Sequence, residues 1–179
     1  MPLPFELPAG APPAIPVVVI ADAAQAPGLS RALLAGGIRA IEVTLRSDAA
    51  LDAIRAIAQE TPEMFLGAGT ILSADDVARA AEAGARFLVS PGSTPALLQA
   101  AEAARLPFLP GVATASEAMA LRERGYRRLK FFPADAAGGL IALKGLGGPL
   151  PDLEFCPTGG VGASNAADYL ALANVFAVG

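Results

Sequence analysis

The sequence predicts an α/β fold, a (β/α)8 TIM barrel, and three observations carry the prediction. Short β-branched runs alternate along the whole chain with stretches whose apolar positions recur at helical spacing, the pattern of parallel βα units. The runs count to eight, and eight parallel strands favour a closed barrel, because closure removes the edges and the helices cover the outer face. No GxGxxG follows the first run, so the alternative, an open doubly wound sheet, lacks its usual phosphate-binding turn.

Residues 1–15 carry Pro2, Pro4, Pro8, Pro12 and Pro13, which should keep that segment from forming a regular helix; it is expected as an extended arm across the barrel's bottom. The barrel domain is expected over 16–179, with strands at 16–20, 38–44, 64–67, 87–90, 107–110, 129–132, 154–156 and 175–178. Between the second and third, Leu51, Ile54, Ile57 and Ala58 have helical spacing. Thr94 followed by Pro95 reads as an N-cap with proline at the first helical position, and Thr114 with Glu117 has capping-box spacing. Gly36-Gly37, Gly84 and Gly125 fall where helices should stop. The sequence given ends at Gly179, directly after the eighth run, so the barrel is expected to lack its last helix. Ordinary barrels reach about 250 residues, so further sequence or another chain is expected to supply the cover.

The 179 residues are 54% hydrophobic, enough for one well-buried core. The net charge of −4 and the absence of a basic stripe argue against nucleic acid; Arg122, Arg124, Arg127 and Arg128 are expected to form a solvated helix end. Apolar runs such as 15–21 are far shorter than the ~20 residues of a membrane helix. With no basic signal-peptide segment at the start, a cytoplasmic location without membrane partners is expected. The single cysteine, Cys156, sits in an apolar run where packing is its expected role. The sequence contains no histidine, which removes Ser-His-Asp and Cys-His catalysis and the commonest zinc ligand together. Acid-base chemistry must therefore fall to carboxylates, lysine or tyrosine.

Charged residues inside apolar strands are costly to bury, and two stand out. Alternation over 38–46 sends Ile41, Val43 and Leu45 to the helix layer and Glu42, Thr44 and Arg46 to the other face, with Arg46 at the C-terminal rim where barrel active sites are built. Over 129–133, Lys130 and Phe132 point together, opposite Leu129 and Phe131. Lys130 is one of two lysines; Lys144 lies in a helical stretch and is expected in solvent. Burial favours the amine of a lysine over its ammonium, which makes it a nucleophile toward carbonyls. A purely structural Glu42–Lys130 ion pair is the competing explanation. Glycine-rich segments follow three strands: Gly67-Ala68-Gly69-Thr70, Ser90-Pro91-Gly92 and Pro157-Thr158-Gly159-Gly160-Val161-Gly162. They are either plain turns or, for the last, a phosphate cradle of backbone N–H groups.

These motifs resemble the 2-keto-3-deoxy-6-phosphogluconate (KDPG) aldolase family, also described as 4-hydroxy-2-oxoglutarate aldolase. The resemblance runs from about residue 16 to 179 and is carried by Ile41-Glu42-Val43-Thr44-Leu45-Arg46, Gly67-Ala68-Gly69-Thr70, Val89-Ser90-Pro91-Gly92, Lys130-Phe131-Phe132-Pro133-Ala134 and Phe155-Cys156-Pro157-Thr158-Gly159-Gly160. It implies a class I aldolase in which Lys130 forms a Schiff base, Glu42 is the general acid/base, and Arg46 with Thr70 receives the pyruvate carboxylate. It also implies that Pro91, Phe132 and Thr158 line the pocket, that Gly159 and Gly160 hold the substrate phosphate, and that the chain forms a homotrimer. A related family acting on the phosphogalactonate epimer usually carries Pro and Asn where this chain has Thr44 and Arg46. A Schiff base needs no metal or cofactor, and none is expected. The family continues past the eighth strand with a phosphate-binding serine that lies beyond Gly179. A noncatalytic truncated barrel acting as an oligomeric scaffold is the alternative from another class.

Overall fold

The computed structural model describes residues 1–179. Its strands are β1 (Val17–Val18), β2 (Ala40–Thr44), β3 (Phe65–Gly69), β4 (Phe87–Val89), β5 (Phe108–Leu109), β6 (Gly111–Val112), β7 (Arg128–Phe131) and β8 (Glu154–Pro157), all parallel to their neighbours. The helices are α1 (Ala26–Ala35), α2 (Ala50–Glu60), α3 (Ala74–Glu82), α4 (Pro95–Ala104), α5 (Ala115–Glu123), α6 (Gly139–Gly147) and α7 (Ala166–Leu170).

The eight staves of the barrel are not these eight strands one for one. β5 and β6 are halves of a single stave interrupted at Pro110, which has no N–H to give to a ladder; the stave therefore runs two residues beyond the expected 107–110. The Pro110 carbonyl still accepts from the Lys130 N–H at 2.9 Å, which carries pairing across the break. The expected strand at 175–178 is present only as isolated bridges. Those bridges nevertheless close the barrel. On one side the Phe155 N–H donates to Asn174 O and the Gly179 N–H to Pro157 O; on the other the Ile15 N–H donates to Val178 O and the Val178 N–H to Pro13 O. The closing bonds thus use Pro13 and Ile15, inside the segment expected as an arm.

Helix boundaries follow local chemistry. Thr94 caps α4 with Pro95 at its first turn, Thr114 and Glu117 form a full capping box on α5, and Ser73 and Asp76 form another on α3 that the sequence reading passed over. Gly84 and Gly125, at φ 101° and 102°, take the left-handed conformation after α3 and α5. The outward side chains Ile41, Val43, Leu88, Leu129, Phe131 and Phe155 join the helices in one apolar cluster, and Phe131 meets Phe155 edge-on.

A second, smaller cluster fills the lumen, and its base is aromatic. Phe5 is 3% exposed, with ring centroids 5.1 Å from Phe87, 6.1 Å from Phe65 and 5.9 Å from Phe176. Arg128 fastens this plug: its guanidinium lies 4.8 Å over the Phe176 ring, donates to Phe5 O at 3.0 Å and pairs with Glu154 and Glu6. Of the arginines expected to be solvated, Arg122 and Arg127 are exposed while both pairing with Asp152, and Arg124, paired with Glu102, is half-buried as Arg128 is. Each carboxylate comes from a different part of the chain, so the arginines tie α5 and β7 to their neighbours. Phe5→Ala should lower unfolding free energy by about 3–5 kcal/mol, the usual cost of deleting a buried phenylalanine. Urea denaturation measures it, and a loss below about 1 kcal/mol would show that the plug adds little to the core.

Candidate active site

The lumen changes character toward the C-terminal ends of the strands. Glu42 from β2 and Lys130 from β7 reach across the barrel, and Lys130 Nζ donates to Glu42 Oε1 at 3.1 Å and Oε2 at 3.3 Å. Their side chains are 4% and 6% exposed. Strand alternation placed both correctly, and it placed Leu129 and Phe131 in the helix layer. Lys144, by contrast, lies exposed on α6.

Gly69 makes the carboxylate's position possible. A Cβ there would sit 2.0 Å from Glu42 Oε1, so any other residue would drive the side chain out of its place. This revises the sequence reading of Gly67-Ala68-Gly69 as part of a loop: β3 extends to Gly69, in register with Thr44. The glycine gives space to a neighbour rather than a turn.

Above the pair opens a cavity of about 570 Å³ lined by Glu42, Arg46, Thr70, Pro91, Lys130, Phe132, Thr158, Gly159 and Gly160. Every site residue expected from the sequence therefore faces one space. Thr44, Pro16, Val17, Val161 and Gly179 also line it, and the sequence reading had not assigned them to the site. Phe132 lies beside the amine, its ring centroid 5.3 Å from Lys130 Nζ. At the rim, exposed Arg46 is held by one contact, its Nε–H donating to Thr44 Oγ1 at 3.1 Å. Cys156, level with Lys130 on the adjacent strand, is 1% exposed; burial pushes its thiol up to about 12, which suits packing rather than nucleophilic chemistry.

The loop after β8 is fixed through its carbonyls. Thr158 O accepts from Ala134 N, Gly159 O from Asp135 N and Gly160 O from Asn165 Nδ2. The N–H groups of Gly159 and Gly160 donate to nothing in the chain, and both residues have positive φ, 93° and 81°. Consecutive free donors at a strand's C-terminal end form a concavity suited to an anion. Asn165 was not singled out in the sequence, because its role depends on the loop's folded path.

The family model for KDPG and KHG aldolases matches residues 10–179. The chain belongs to the KDPG and KHG aldolase family. The KHG/KDPG aldolase of Escherichia coli K12 is 48% identical over 167 residues, covering 93% of this chain and 78% of the relative. Among solved structures, a Legionella pneumophila KDPG aldolase with pyruvate captured at low pH as a covalent carbinolamine superposes with TM-score 0.92 at 45% identity, covering 94% of this chain and 82% of that one. A Zymomonas mobilis ZM4 2-keto-3-deoxy-6-phosphogluconate aldolase with 3-phosphoglycerate gives 0.90 at 44%, covering 93% and 79%.

One member of this aldolase site is strained. Thr70 has φ 59°, a left-handed backbone that is an outlier for a β-branched side chain and costs about 1–3 kcal/mol. Relief is available from glycine. Thr70→Gly should therefore raise the melting temperature or leave it unchanged. A clear fall in melting temperature would show that the threonine side chain stabilises the fold by more than the strain costs.

Proposed function

We propose that this chain is a class I aldolase that cleaves 2-keto-3-deoxy-6-phosphogluconate to pyruvate and glyceraldehyde 3-phosphate, and 4-hydroxy-2-oxoglutarate to pyruvate and glyoxylate. The observation that carries the reading is the buried contact between Lys130 and Glu42 at the floor of a cavity whose rim is cationic at Arg46. A purely structural ion pair needs no adjoining cavity.

In this mechanism Glu42 takes a proton from Lys130, and the free amine adds to the C2 carbonyl of the substrate. Glu42 returns that proton to the C2 oxygen, water leaves, and a protonated imine joins Nζ to C2. Glu42, a carboxylate again, removes the C4 hydroxyl proton. The C3–C4 bond breaks, its electron pair moving through C3 and C2 to the imine nitrogen, and the aldehyde departs. The enamine takes the proton from Glu42 at C3, and hydrolysis of the resulting imine releases pyruvate and restores Lys130. A single carboxylate within 3.3 Å of Nζ can serve each transfer in turn.

Arg46 and Thr70 are assigned to the substrate carboxylate, and the free N–H groups of Gly159 and Gly160 to the phosphate. Pro91, Phe132 and Thr158 pack around the carbon chain. A homotrimer and a cytoplasmic location belong to the same proposal, supported by the family resemblance; side chains such as Val19, Leu72 and Ile141 are apolar and exposed, as contacts between copies would require. No helix is long and apolar enough to cross a membrane.

Borohydride reduction in the presence of pyruvate should yield one covalent adduct, at Lys130, with Lys144 unmodified. Peptide mass spectrometry locates it. Labelling at Lys144, or no adduct in a sample shown to be folded, would end the Schiff-base assignment.

A further inference from the structure

Arg46 emerges two residues past the end of β2, more than a third exposed and without a carboxylate partner in the chain. A long cationic side chain in that position ordinarily samples many rotamers, and gathering it onto a ligand costs entropy. Only one atom holds it. The Thr44 hydroxyl, in a residue that is 1% exposed, donates its proton to Val18 O on β1 at 3.0 Å and accepts from Arg46 Nε–H at 3.1 Å.

The direction of this relay is forced. A hydroxyl has one proton, a carbonyl oxygen can only accept, and a guanidinium can only donate. The Thr44 proton is therefore committed to Val18, and a lone pair faces Arg46. With Nε occupied, the edge of the guanidinium that remains is the Nη1–Nη2 edge, and neither nitrogen has an acceptor in the chain. Two parallel N–H donors match the two oxygens of a carboxylate. The relay thus selects which edge of Arg46 the cavity sees.

We propose that Thr44 is a positioning residue for the aldolase reaction: through Nε it ties the guanidinium of Arg46 to the backbone of β1, so that the Nη1–Nη2 edge receives the substrate carboxylate end-on. The inference rests on the assignment of Arg46 to the pyruvate carboxylate. Thr44 contributes through carboxylate binding, not through Lys130 or Glu42, with neither of which it shares a hydrogen bond.

Thr44→Val keeps the shape and removes both hydrogen bonds, and Thr44→Ser restores them. The measurement is the concentration dependence of borohydride trapping at Lys130, with pyruvate and with acetone, a ketone lacking the carboxylate. For Thr44→Val the half-saturating pyruvate concentration should rise about tenfold, the scale set by one hydrogen bond to a charged group, while acetone trapping is unchanged. Thr44→Ser should recover most of the loss. In an Arg46→Ala background, Thr44→Val should add nothing further. Thr44→Cys, similar in size and a weak acceptor, serves if the valine variant does not fold. An unchanged pyruvate dependence, an equal loss with acetone, or a full additional loss without Arg46 would overturn the proposal. Failure of the wild-type protein to trap pyruvate at all would instead overturn the functional assignment beneath it.

Discussion

The Lys130–Glu42 contact is the constraint around which the upper half of the barrel is arranged. Two ionisable groups removed from water are costly to keep, and the cost is met only if each finds the other at close range. Here they come from opposite sides of the lumen, so the distance between them depends on barrel closure and on the register of β2 and β7. Gly69 must remain without a side chain for the carboxylate to lie where it does. Removing one partner of a buried pair typically costs about 3–5 kcal/mol, which makes the pair a structural commitment as well as the proposed reaction centre.

The two ends of the lumen divide the work. The lower end is dry and aromatic, with Phe5, Phe65 and Phe87 packed together and Arg128 clamped beneath them. The upper end carries the ionisable pair, the strained Thr70 and the free N–H groups after β8. Strain and buried charge are tolerated at one end because apolar packing at the other offsets them, a separation that (β/α)8 barrels show in general.

Much of this was legible in the sequence because strand alternation is a local rule. The facing of Glu42, Arg46 and Lys130 follows from period two alone, and the caps at Thr94 and Thr114 from the spacing of their side chains. What escaped depends on contacts between distant segments. Gly67-Ala68-Gly69 looks like a turn until the Glu42 side chain is placed over it. Phe5 looks like part of a loose proline-rich arm until Phe65, Phe87 and Phe176 surround it. Arg124 and Arg128 look as solvated as Arg122 and Arg127 until Glu102, Glu6 and Glu154 arrive from elsewhere in the chain. Thr44 was assigned the correct face but no role, since its partners, Val18 O and Arg46, meet only in the folded rim.

The central claim is that the carboxylate beside Lys130 moves protons rather than merely balancing charge. The most direct test is the exchange of pyruvate methyl protons for deuterium, followed by NMR, in the wild-type protein and in Glu42→Gln. The amide keeps the size of the side chain and its hydrogen-bonding reach but cannot act as a base. The account predicts a fall in exchange rate of roughly 10²–10⁴-fold in a variant that remains folded. Exchange at the wild-type rate would contradict it and leave Glu42 a structural partner of Lys130.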